Sequence, residues 1–155
     1  RLLYIDKIQE VVRAAPNFMM VLSYNPGYQN VTKDLKESTK QRFSAIAFSY
    51  PPPDVEARIL VEEAGIELSV GRTLAEIGGE IRNLKGYGLN EGVSTRLLVY
   101  AGKLIADGVD PRAACEGAIS RVLSDDPEIV SSVEDILELH FPSEAGAQEE
   151  AAQQG

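Results

Sequence analysis

Apolar residues change their spacing about a third of the way along this chain. Before residue 50 they gather in short runs, at residues 2–5, 10–12, 18–22 and 43–50. Runs of that length, bounded by turn formers, read as strands. The first two predict a hairpin closed around Lys7-Ile8-Gln9. Phe18-Met19-Met20-Val21-Leu22 is unbroken, as in a strand buried on both faces of a parallel sheet. Pro26 removes a backbone donor and pushes Asn25 out of the helical region, so the chain must leave the sheet there. Residues 30–42 are polar and predict one short helix. Residues 43–50 alternate and predict a further strand, stopped by Pro51-Pro52-Pro53.

Beyond the proline triplet the period becomes three and four. Val55, Ile59 and Leu60 open one helix, and Leu74, Ile77, Ile81 and Leu84 mark a second. Leu97, Leu98, Ala101, Leu104 and Ile105 give a third. Cys115, Ile119, Val122 and Leu123 give a fourth, and Ile129, Val133, Ile136 and Leu137 a fifth. Asp110-Pro111 and Asp126-Pro127 each set a capping carboxylate before a proline at the first helical position. The expected fold class is therefore α/β plus all-α. Residues 1–53 form the end of a parallel-sheet layer, 54–142 a small helical domain, and 143–155 an apolar-poor disordered tail.

Composition narrows the function. With 44% hydrophobic and 25% charged residues the profile is globular, and 155 residues can bury a real core. No apolar run approaches the roughly 18 residues of a membrane span, and no signal peptide opens the chain. It begins with Arg1, as a piece of a longer protein would. The single cysteine, Cys115, suits a reducing compartment, so a cytoplasmic location is expected. The net charge of −9 is uneven: residues 1–50 carry seven Lys/Arg against four Asp/Glu, the remainder eight against twenty. An acidic total argues against nucleic-acid binding. Lys33, Lys36, Lys40 and Arg42 crowd one segment, which is either a solvated surface or a face near a polyanion.

Three polar positions could carry chemistry. Asn25 follows a candidate strand at its carboxyl end, where open α/β sheets bind ligands. Its amide could touch a phosphate oxygen, or it could be an ordinary turn residue before proline. Arg42 lies between the polar helix and the next strand. Its planar, always-charged fork could meet a phosphoryl group, or it could pair with Glu37 or Asp34; Lys40 is the alternative bearer of the role. Arg96, in Ser94-Thr95-Arg96, puts a cation at a helix start against the dipole, so it calls for an anion: a phosphate, or Glu91. His140 and Cys115 fall on apolar stripes and read as packed residues, and no metal site is supported.

The wording around these positions resembles the second half of a MoxR-class AAA+ ATPase, closest to the CbbQ/NirQ/NorQ group with its gas-vesicle (GpvN-like) relative. Ser23-Tyr24-Asn25-Pro26-Gly27-Tyr28-Gln29, Leu35-Lys36-Glu37-Ser38-Thr39, Ser94 through Ala101 and Leu123-Ser124-Asp125-Asp126 carry the likeness. The resemblance implies the end of the AAA+ large subdomain followed by its helical lid. It implies sensor 1 at Asn25 and sensor 2 at Arg96, both binding the nucleotide, with Arg42 an arginine finger acting on a neighbouring subunit. It further implies ATP and Mg²⁺ as cofactors and a ring, usually a hexamer. A von Willebrand A-domain partner and a client metalloenzyme are expected, of Rubisco, nitric oxide reductase or nitrite reductase type.

Two departures stand beside it. No Walker A pattern, Gly-x-x-x-x-Gly-Lys-Ser/Thr, occurs, so the chain alone is expected neither to bind nor to hydrolyse ATP. Leu3-Tyr4-Ile5-Asp6 is a poor Walker B, because Lys7 follows where the family has Glu and the nineteen residues to Asn25 leave no room for a helix and strand. Asp6 reads as a hairpin residue. The alternative is a non-catalytic adaptor derived from the same family.

Overall fold

Leu2, Tyr4, Val11 and Arg13 have the extended, alternating character that pairs across a short ribbon, and so they do in the computed structural model, which describes residues 2–23, 36–86, 88–89 and 91–143. Strand β1 (Leu2–Ile5) runs antiparallel to β2 (Glu10–Arg13), with Leu2 opposite Arg13 and Ile5 opposite Glu10. Asp6 lies in the connecting turn, and Gln9 takes a left-handed φ of 52° to close it. A single helical turn, α1 (Glu37–Lys40), follows later.

The expected parallel sheet is not formed among the described residues. β1 and β2 make the sole sheet there, and residues 18–22 and 43–50 are neither helix nor strand. Met19 and Val21 are each 80% exposed and Phe48 is 91% exposed. A strand buried on both faces needs a hydrogen-bonding neighbour on each side. None of the described residues supplies one, so the apolar run has nothing to pair with. Asn25 lies outside the described residues, as do 144–155, where the disordered tail was expected.

Contacts divide the chain into two units, Arg1–Ala47 and Phe48–Gly155. The second carries the helices. In it α2 (Pro53–Ala64) starts on a proline at its first position and ends on Gly65 at φ 72°, the left-handed cap that glycine takes without strain. Next come α3 (Leu68–Asn83) and α4 (Thr95–Ala106). The fourth predicted helix is α5 (Pro111–Cys115), a π-helical segment Glu116–Ser120, and α6 (Arg121–Leu123) in direct succession. Last is α7 (Pro127–His140). Both predicted acidic caps are made: Asp110 Oδ2 accepts from Ala113 N at 3.0 Å, and Asp126 Oδ1 from Glu128 N at 3.0 Å.

The helices close on Leu60, Leu74, Ile77, Ile81, Leu98, Ile119, Val133 and Leu137, all fully buried. Each such side chain contributes about 1.5–3 kcal/mol. Glycines let the backbones approach. A Cβ on Gly102 of α4 would lie 2.9 Å from Ala64 Cβ of α2, and one on Gly78 of α3 would lie 2.7 Å from Leu98 Cδ1 of α4. No helix among the described residues is long and apolar enough to cross a membrane.

Candidate functional site

The first turn of α4 is where the helical unit spends its buried charge. Ser94 is the N-cap, its hydroxyl accepting from Leu97 N at 3.4 Å, and Thr95 and Arg96 are the first two helical residues. Beneath them lies Glu56 of α2, a carboxylate only 1% exposed. Arg82 of α3 donates to both of its oxygens, Nη1 to Oε2 and Nη2 to Oε1, each at 2.7 Å. The Thr95 hydroxyl donates to the same Oε1 at 2.6 Å. Arg82 also donates through Nε to the Val93 carbonyl at 2.9 Å. Its guanidinium sits 3.8 Å from the centre of the Tyr50 ring, and the Tyr50 hydroxyl donates to the Gly92 carbonyl at 3.3 Å.

This constellation satisfies a charge that would otherwise be costly. A buried carboxylate without partners is strongly disfavoured, and a forked guanidinium is the arrangement that best answers it. Tyr50 covers the other face of that guanidinium through a cation–π contact. Three of the four residues before Arg96 are thus tied down, Gly92 and Val93 by their carbonyls and Thr95 by its hydroxyl.

Arg96 itself is exposed, and no carboxylate of the described residues pairs with it, Glu91 included. The contrast with Arg82 is chemical. Arg82 is consumed by Glu56, whereas Arg96 keeps its charge available at the positive end of α4. That combination fits a phosphate group.

Arg42 belongs to the other unit. It lies in the turn after α1, exposed, with its N–H donating to the Thr39 carbonyl at 3.0 Å. The strand expected to follow it is absent. Glu37 faces Lys40 at 3.9 Å, so the pairing with Glu37 weighed for Arg42 is made by Lys40 instead. Asp34, the other carboxylate weighed for Arg42, falls outside the described residues.

Sequence reading passed over Glu56, Arg82 and Tyr50. Glu56 stands in the first turn of α2, where an acid is ordinarily a solvated complement to the dipole. The signal that was available is the adjacent apolar stripe of Ala57 and Leu60, which turns Glu56 inward.

A second polar cluster joins α5 to α7. Arg112 pairs with Glu116 at 2.8 Å and with Glu138, and reaches the Phe141 carbonyl at 3.5 Å. Glu138 accepts from the Ser143 N–H at 3.0 Å and from its hydroxyl at 3.1 Å. The backbone N–H of Ser143 is the chief reason the Glu138 carboxyl lies below its ordinary value; burial opposes this, and the Ser143 hydroxyl and Arg112 assist it. His140 Nε2 sits 3.1 Å from Glu80 Oε1 of α3. Cys115 is buried, and its thiol is pushed up to about 12, first by burial and then by the charges of Asp110 and Glu116. Among the described residues no three His, Cys, Asp or Glu side chains are grouped to hold a metal.

Residues 56–140, which span α2 to the end of α7, match the CbbQ/NirQ/NorQ C-terminal family. The chain is 53% identical to Protein CbbQ of Hydrogenophilus thermoluteolus over 129 residues, covering 83% of this chain and 48% of that protein. It is 49% identical to the denitrification regulatory protein NirQ of Pseudomonas aeruginosa over 140 residues, 90% of this chain and 54% of that one. Protein NorQ of Paracoccus denitrificans is 46% identical over 141 residues, covering 91% and 52% respectively. The chain therefore spans about half the length of the curated relatives it matches.

Proposed function

The chain belongs to the CbbQ/NirQ/NorQ family, and from that membership we propose that it is the carboxyl-terminal part of a MoxR-class AAA+ ATPase. In this reading the helical unit is the lid over a nucleotide site. ATP binding and hydrolysis, with Mg²⁺, drive remodelling of a client metalloenzyme of Rubisco, nitric oxide reductase or nitrite reductase type. The working assembly is a cytoplasmic ring, usually of six subunits, engaged by a von Willebrand A-domain partner.

The observation that most directly supports it is Arg96, an exposed cation without a carboxylate partner among the described residues, on the first turn of a lid helix. Bound ATP would supply the phosphoryl group to be transferred. Arg96 would hold the terminal phosphate as sensor 2 by charge-assisted hydrogen bonds. Asn25 would act as sensor 1, a neutral amide that orients the attacking water without adding charge. Arg42 would act in trans on the neighbouring subunit's nucleotide, where a guanidinium offsets charge building up on the transferred group.

Replacing Arg42 with Ala in the complete ATPase tests this. Hydrolysis should fall by about 10³–10⁵ as for other arginine fingers, while nucleotide binding stays nearly intact. Undiminished turnover in that variant removes the arginine-finger assignment of Arg42, whereas the adaptor reading requires that the unaltered protein turn over no ATP.

A further inference from the structure

Taking the sensor 2 role of Arg96 as its starting point, we infer that Thr95 is a positioning residue for Arg96, acting through the buried Glu56–Arg82 pair. Arg96 has a long, exposed side chain, and no hydrogen bond or ion pair among the described residues fixes where it points. What is fixed is the backbone that launches it. Thr95 immediately precedes it, and its hydroxyl reaches Glu56 Oε1 at 2.6 Å. Glu56 cannot drift, because Arg82 grips both oxygens at 2.7 Å and the carboxylate is almost wholly enclosed. Arg82 cannot drift either, since Nε holds the Val93 carbonyl at 2.9 Å and Tyr50 lies against its face at 3.8 Å.

The result is a closed circuit from α2 through α3 to the start of α4. Thr95 is β-branched, so its χ1 is already restricted and the hydroxyl bond selects one orientation. The first turn of α4 therefore cannot twist about its axis without breaking a bond to a buried charge. Glu56 is also neutralised by Arg82 and almost wholly enclosed, which keeps that carboxylate from capturing the exposed Arg96 as a salt bridge. The circuit thus does two things for the proposed site: it sets the direction of Arg96 and preserves its charge.

Removing Glu56 or Arg82 risks unfolding, so the informative change is Thr95→Val, which keeps the branched shape and leaves the Glu56–Arg82 fork intact. Four variants of the complete ATPase are needed: Thr95→Val, Thr95→Ser, Arg96→Ala, and Thr95→Val with Arg96→Ala. Turnover, KM for MgATP and the urea unfolding midpoint are read for each. Misplacing a catalytic group slightly can cost up to about a hundredfold in rate. Thr95→Val should lower kcat by roughly tenfold to a hundredfold on that basis, Thr95→Ser should restore most of it, and the double variant should be no slower than Arg96→Ala alone. A merely structural Thr95 would give losses that multiply in the double variant, and that outcome overturns the inference. So does a normal kcat in Thr95→Val beside an impaired Arg96→Ala. If Arg96→Ala itself turns over normally, the sensor 2 reading falls and the positioning role falls with it.

Discussion

Glu56 and Arg82, twenty-six residues apart, meet in a two-bond fork inside the helical unit with both N–O separations at 2.7 Å. The carboxylate is 1% exposed and the guanidinium side chain 13%. Breaking such a pair from one side leaves a buried charge uncompensated, whereas replacing both partners by apolar groups is often tolerated. Arg82→Met is therefore expected to lower the unfolding free energy by about 3–5 kcal/mol. Glu56→Leu combined with Arg82→Met should lose much less. Urea denaturation of the three proteins decides it; a loss of about 1 kcal/mol or less in the single variant would class the pair with solvated surface bridges.

Adjacent glycines on α3 should respond in opposite directions. A Cβ on Gly78 would lie 2.7 Å from Leu98 Cδ1, while one on Gly79 meets nothing within 4 Å. Gly78→Ala forces a well-packed core to shift, with a cost of about 1–3 kcal/mol. Gly79→Ala trades backbone freedom for helix propensity and should stabilise by about 0.5–1 kcal/mol. Thermal melts of both show whether α3 and α4 pack as closely as described.

The Glu138 carboxyl is held below its ordinary value of 4.5, chiefly by the Ser143 N–H. A depressed carboxyl stabilises the fold when ionised, so its contribution is full above the unfolded value and is lost as pH falls through the folded one. Urea midpoints of the unaltered chain and of Glu138→Gln should therefore differ most near neutrality and converge on acidification below 4.5. A gap that stays constant over that range would mean Glu138 carries no such linkage.

Cys115 works the other way. Its thiol is raised from 9.0 to about 12, so the stability tied to the neutral form is complete below the unfolded value and is lost as pH rises toward the folded one. The thiolate is the reactive species. A disulfide reagent at pH 8 should label Cys115 slowly in the folded chain and rapidly after urea is added. Equal rates in the two states would contradict the burial.

The helical unit was legible because its stripes are local. Leu74, Ile77 and Ile81 stand at helical spacing, and Asp110-Pro111 and Asp126-Pro127 announce their own starts. The hairpin was legible for the same reason, a short loop between two short runs. Residues 18–22 misled because an apolar run specifies a buried strand only when other strands are there to receive it, and pairing is not a local property. Arg96 could be placed on a helix start from its motif. The circuit beneath it could not be read, because Glu56, Arg82 and Thr95 are far apart in sequence and each, viewed singly, is an ordinary surface residue type.

The π turn at Glu116–Ser120 has a consequence for everything after it. Each hydrogen bond there spans one residue more than in an α-helix, so the following turn is out of phase by about 100° with the one before. The apolar ladder that Cys115 and Ile119 begin is accordingly not continued by Val122, which is 60% exposed, while Leu123 packs against the core. Deleting one residue from those five would take the insertion back out: Leu123 would then stand seven positions after Cys115, the regular same-face interval, and would keep its inward place while Val122 stayed in water.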